Sequence, residues 1–168
     1  MAPLPPPHHH TLNAASGWLG LGMTAEAQAE LDRLPPELQN HRLALDVQFA
    51  IHAENTAWDA AYAVAESSVQ LHPEDVGGWI QRAFAARRKT GGGLDDAFAL
   101  LLPASEKFPK EVTIPYNLAC YCAQKERLAE AWQWYRKARG LGNPKDLRKM
   151  ALADDDLKPL WSQIAQLT

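Results

Sequence analysis

Few residues in this 168-residue chain are of types and spacings that could do chemistry. Cys120 and Cys122 are its two cysteines, and on a helix that spacing turns their side chains roughly 200° apart, too far for a mutual disulfide or a chelate. Reduced thiols in a reducing compartment fit this usage. A nucleophilic Cys120 would need a nearby histidine to lower its pKa, and the surrounding segment has none, whereas small thiols are common in helix packing. His41, His52 and His72 fall on different segments, without the i, i+4 spacing that converges two imidazoles on zinc. Asp154, Asp155 and Asp156 lack the spaced oxygens and distant glutamate of a calcium loop and read as a charge cluster at a helix start. Gly91-Gly92-Gly93 follows the basic helix end Arg87-Arg88-Lys89 rather than a strand and lacks a downstream lysine, so it reads as a turn insertion, not a phosphate loop. A glycine loop ending in Lys-Ser/Thr, paired CxxC motifs, HExxH and GxSxG are all absent from the sequence. The expectation is a protein that is not an enzyme, with no metal site and no cofactor.

Charge narrows the partners. The 17 basic and 20 acidic residues give a net charge of -3 and are scattered, which leaves no broad cationic surface for nucleic acid. Met1 to Pro7 lack the basic start and apolar run of a secretory signal, and no stretch approaches ~18 uninterrupted apolar residues. A soluble, cytoplasmic protein without membrane contact is expected. A hydrophobic content of 46% is enough to bury a core.

The elements that would position these residues read as helix after helix. Pro3, Pro5, Pro6 and Pro7, followed by His8, His9 and His10, predict a disordered Pro/His-rich tail over 1–10, with no helix before Thr11. Pro3-Leu4-Pro5-Pro6 also has the loose PxxP form that aromatic-lined grooves read. Beyond the tail, apolar residues recur at helical spacing, as in Leu43, Val47, Ala50, Ile51 and in Leu94, Ala97, Phe98, Leu101. Breaks fall at Leu34-Pro35-Pro36, His72-Pro73, Thr90 to Gly93, Phe108-Pro109 and Gly140 to Pro144. Small residues flanked by helix formers set a register: Ala27, Ala61, Ala97 and Ala131 stand 34, 36 and 34 positions apart. The longer interval holds the extra glycine of the Gly91 to Gly93 turn, where an insertion belongs.

A period of 34 with two helices per unit resembles the tetratricopeptide repeat, whose pattern is a tryptophan and a small residue on the first helix, alanines and an aromatic on the second, and a closing proline. Trp79, Ala83, Ala97, Ala104 and Pro109 match in the third unit. Ala61, Ser68 and Pro73 end the second. In the fourth, Asn117-Leu118-Ala119, Ala131, Tyr135 and Ala138 match, with Pro115 in place of the tryptophan and Asn143-Pro144 shifting the closing proline. Ala15, Gly22 and Ala27 fit the first. The resemblance covers Thr11 to Asn143 and implies an all-α fold, a right-handed α-solenoid of about four helix-turn-helix repeats near 11–38, 41–75, 76–111 and 112–143. Residues 144–168 read as C-terminal capping helices, with Leu157, Leu160, Trp161 and Ile164 on one stripe. Met150-Ala151-Leu152 and Asp156 to Leu160 resemble the closing segment of some bacterial members.

The resemblance also implies a concave wall lined by the first helix of each pair. On that wall the expected partner-binding residues are Val47, Ile51, Ile80, Phe84, Arg87, Arg88, Tyr116, Asn117, Cys120 and Gln124, joined by Leu12, Ser16, Leu19, Glu54, Asn55 and Ala123. Asn117 matches the members that clamp a terminal carboxylate, while Ile80, Phe84, Tyr116 and Cys120 stand where polar clamp residues would be. The wall suits an apolar segment carrying an acidic group, with Phe84 and Tyr116 as anchors and Arg87 and Arg88 as charge partners. The other reading of Ile80, Phe84 and Tyr116 is packing between neighbouring repeats. At the level of the whole chain the leading expectation is an adaptor or scaffold that binds a protein or peptide. The alternatives are a small chaperone for a secreted or aggregation-prone client, or a homo-oligomer formed through the groove or through an exposed Trp132 and Trp134 face.

Overall fold

The computed structural model of the chain describes residues 6–167, and every regular element among them is helical. No helix among the described residues is long and apolar enough to cross a membrane. The chain divides into two compact units, Met1–Gly91 and Gly92–Thr168, at the glycine-rich turn inside the expected 76–111 segment. Gly91 takes a left-handed backbone there, with φ of 68°, a conformation glycine adopts without penalty.

The first unit holds α1 (Pro6–Gly20), α2 (Thr24–Leu31), α3 (Arg42–Glu54), α4 (Trp58–Leu71) and α5 (Val76–Ala86). Helix α1 starts at Pro6, which corrects the expectation of a tail reaching residue 10. Prolines in the first helical turn give up only backbone donors that have no intrahelical partner, so they can begin a helix. His8, His9 and His10 therefore lie on α1. Pro3, Leu4 and Pro5 of the PxxP reading lie outside the described residues.

Among the described residues, two apolar clusters help hold this unit together. Leu12 and Ala15 of α1, Ala27 and Leu31 of α2, Leu34, and Ala44, Val47 and Ile51 of α3 form one, with Trp18, Leu19, Leu38 and Leu43 packed against it. Phe49 of α3, Ala61 and Ala65 of α4 and Ala85 of α5 form the other. Contact between α4 and α5 is close at Gly78, where a Cβ would stand 2.7 Å from Ser68 Oγ. Arg82 crosses the same interface to Glu66 at 3.3 Å and stacks 4.8 Å over Trp79.

The second unit holds α6 (Leu94–Leu101), α7 (Ala104–Lys107), α8 (Thr113–Gln124), α9 (Leu128–Leu141), α10 (Pro144–Ala151), a 3-10 segment (Asp155–Leu160) and α11 (Trp161–Ala165). Pro103, which lacks an amide donor, stands where α6 gives way to α7. Pro159 lies inside the 3-10 segment, which runs directly into α11 at Trp161. Asn143 caps α10 by accepting from the amides of Lys145 and Asp146. Leu157, Leu160 and Ile164 are sealed in the core, while Trp161 is half-buried and donates to the Ala151 carbonyl.

One local motif recurs in both units. The turns α1–α2, α3–α4 and α8–α9 each contain a left-handed residue, Gly22, Thr56 and Glu126. In each, the next amide bonds back five residues: Met23 to Trp18, Ala57 to His52 and Arg127 to Cys122. This is the backbone pattern of a helix closed by a left-handed residue. The following helix then presents a fully buried alanine, Ala27, Ala61 or Ala131, whose amide donates to the carbonyl four residues earlier, and Ala97 of α6 is buried in the same way. Alanine at these positions lets paired helix backbones approach.

Candidate functional site

The most distinctive surface cluster lies in the first unit, where the end of α5 meets the start of α4; Phe84 is exposed there, while Trp58, Tyr62, Arg88 and Lys89 are half-buried, the first two against the core. Trp58 follows the left-handed Thr56 turn and Tyr62 stands one turn further along α4. Opposite them, Phe84 meets Trp58 edge to face, with ring centres 5.7 Å apart and planes at 66°. The Arg88 guanidinium lies 3.6 Å above the Phe84 ring centre and 5.1 Å from that of Trp58, and its Nη1 donates to the Phe84 carbonyl. Lys89 Nζ stands 5.0 Å from the Tyr62 ring centre. Each exposed cation over an aromatic face contributes about 0.5 to 1 kcal/mol, enough to prefer one orientation. Thr90 donates from its amide and its hydroxyl to the two Asp59 oxygens, fastening the turn after α5 to the first turn of α4.

The result is an aromatic ledge carrying two cationic heads, with Phe84 still 36% exposed. Ile80 and Arg87 are half-buried beside it in sequence. Trp58, Tyr62 and Lys89 were not among the residues expected to bind, because they depend on how α4 and α5 pack. A tryptophan opening the helix before the one bearing Phe84 was the available signal.

Several expected wall residues are covered instead. Val47 and Ile51, 8% and 3% exposed, are core residues between α3 and the α1–α2 pair, and Leu12 joins them. The apolar face assigned to a ligand is the face on which α3 docks. Glu54 and Ser16 are exposed, Leu19 is half-buried, and Asn55 accepts from the Thr24 hydroxyl. In the second unit Tyr116, Cys120 and Ala123 are buried, because the 3-10 segment packs on α8. Tyr116 donates from its hydroxyl to Asp154 Oδ2 at 2.9 Å, and Cys120 Sγ lies 3.7 Å from the same oxygen. Gln124 is exposed and donates to the Asp156 carbonyl, and Asn117 is half-buried. Trp132 and Trp134 are half-buried rather than exposed, the first stacked on Tyr135 at 5.8 Å.

The electrostatics fit structural roles for the buried groups. Burial, reinforced by the bond to Asp154, pushes the Tyr116 hydroxyl far above its ordinary range. Burial also pushes the Cys122 thiol up to about 11, which keeps it protonated and unreactive near neutral pH. His41 Nδ1 accepts from the Leu43 amide at the start of α3, and His72 Nε2 sits 2.8 Å from the Asn40 carbonyl. Neither a protein-family model nor a curated protein matches the chain, so the site's own geometry carries the functional reading.

Proposed function

We propose that the chain is a protein-interaction module, an adaptor or scaffold built as a tetratricopeptide-type helical solenoid, that acts in the cytoplasm and carries out no catalysis. Support for the repeat reading comes from the turn described above: left-handed closure, back-bonded amide and buried alanine recur along the chain at the spacing of the register alanines. The binding surface is the Trp58, Tyr62, Phe84, Arg88 and Lys89 ledge, which keeps Phe84 and Arg88 of the wall in the sequence reading and adds Trp58 and Tyr62 of α4 and Lys89.

The observation that carries the proposal is the guanidinium of Arg88 held over the rings of exposed Phe84 and half-buried Trp58. Aromatic and arginine side chains dominate interface energetics, and a stacked guanidinium loses little further entropy when a carboxylate docks on it. The ligand is a peptide segment with an apolar side chain beside an aspartate or glutamate. Burying two or three ligand side chains at about 1.5 to 3 kcal/mol each, against association costs, gives affinity of micromolar order.

Selection from a random peptide library on the immobilised protein tests this. Enrichment of an apolar residue next to an acidic one is expected, with binding lost in a Phe84→Ala, Arg88→Glu variant whose circular dichroism and melting match the parent. Peptides that bind parent and variant equally would place the interaction on another surface.

A further inference from the structure

We propose that Cys120, Asp154 and Asp156 form a binding site for a divalent cation of the zinc class, in which the ion ties α8 to the C-terminal 3-10 segment. The thiol sulfur and one carboxylate oxygen from each aspartate all lie within 4.8 Å of one another. Cys120 Sγ and Asp154 Oδ2 are 3.7 Å apart. In tetrahedral zinc sites, with Zn–S about 2.3 Å and Zn–O about 2.0 Å, such a pair stands roughly 3.5 Å apart, so these two atoms nearly span one edge already.

The donor set selects the ion. Calcium and magnesium take all-oxygen sites, and copper(I) prefers several sulfurs, whereas one thiolate with two carboxylates suits a borderline cation. The ligands are also held from behind. Tyr116 donates to Asp154 Oδ2 at 2.9 Å, the Asp156 amide donates to Asp154 Oδ1 at 3.0 Å, and Gln124 donates to the Asp156 carbonyl at 2.9 Å. Such outer donors orient metal ligands and raise affinity. Cys120 itself is only 4% exposed, so a bound ion would be shielded on its sulfur side. Binding one ion releases the Cys120 thiol proton to solvent.

Titration of the full chain with Co2+ under reducing conditions, followed by the thiolate-to-cobalt charge-transfer absorption and by displacement with Zn2+, is the test. A saturable band at one ion per chain is expected. It should vanish in Cys120→Ser, persist in Cys122→Ser, and persist when His8, His9 and His10 are all replaced by alanine, since imidazoles give no thiolate band. Asp156→Asn, at a partly exposed position, should weaken binding at least tenfold, and Tyr116→Phe by roughly tenfold. If Cys120→Ser fails to fold by circular dichroism, Asp156→Asn decides. No thiolate band in the folded parent, a band surviving in folded Cys120→Ser, a band lost in Cys122→Ser, or an Asp156→Asn affinity equal to the parent's would each overturn the site.

Discussion

The guanidinium of Arg88 rests 3.6 Å above the ring of Phe84, the residue one helical turn before it, and donates a hydrogen bond to that residue's carbonyl. The contact makes one surface of an apolar anchor and a charge. Arg88→Lys keeps the charge but loses the planar stack. Affinity for a selected acidic-apolar peptide should fall about fivefold to tenfold, with melting unchanged, as titration calorimetry would show.

At Gly78 the approach of α4 and α5 leaves no space for a side chain, since an added Cβ would sit 2.7 Å from Ser68 Oγ and 3.4 Å from the Val69 amide nitrogen. Gly78→Ala should destabilise the protein by about 1 to 3 kcal/mol in urea unfolding, despite alanine's better helix propensity. Ser68→Ala removes a buried hydroxyl that has no hydrogen-bond partner, and in combination it should recover part of that loss.

Thr56 and Glu126 hold left-handed backbone at φ of 54° and 58°, where Gly22 holds the equivalent position at 73°. A side chain costs about 1 to 2 kcal/mol in this region. Thr56→Gly and Glu126→Gly should each raise stability by about 1 kcal/mol or less, the gain being trimmed by glycine's greater freedom in the unfolded chain. Thermal melts of the two variants would test this.

Asp46 is raised above its ordinary 3.8, chiefly by burial, with the Gln81 hydrogen bond and Arg42 only partly opposing that. A native carboxyl with a raised pKa favours the fold while protonated, so the unfolded chain ionises first as pH rises. That contribution is fully present below 3.8 and is lost as pH climbs through the raised native value. Asp46→Asn should flatten this component of the stability-pH curve, measured by urea unfolding from pH 3 upward.

Burial of both cysteines, with Cys122 held up to about 11, predicts slow modification. In the metal-free protein at pH 8, a disulfide reagent should react with Cys122 far more slowly than with the urea-unfolded chain, at a rate that rises with denaturant.

Much of the fold was legible along the chain because helices and turns are local. Proline and glycine clusters marked where helices end, and Ala27, Ala61, Ala97 and Ala131 marked the positions where helices must approach, all four of them fully buried. Single prolines were harder to weigh. Pro6 and Pro7 were read as breakers although the first turn of α1 accepts them, while Pro103 was passed over although it stands between α6 and α7.

The site was only partly legible. Phe84 and Arg88 stood out through i, i+4 spacing, but Val47, Ile51, Tyr116 and Cys120 carry the same apolar pattern and are buried. Periodicity shows that a helix has an apolar face; it does not show what covers that face. By itself the sequence determined the helical class, the turn positions and the register of small residues, because backbone propensity and steric size act within a few residues. Tertiary structure alone decided that α3 spends its apolar face on α1 and α2, that Asp154 reaches back 38 positions to Tyr116, and that half-buried Trp58 meets exposed Phe84, because those contacts join residues far apart in the chain.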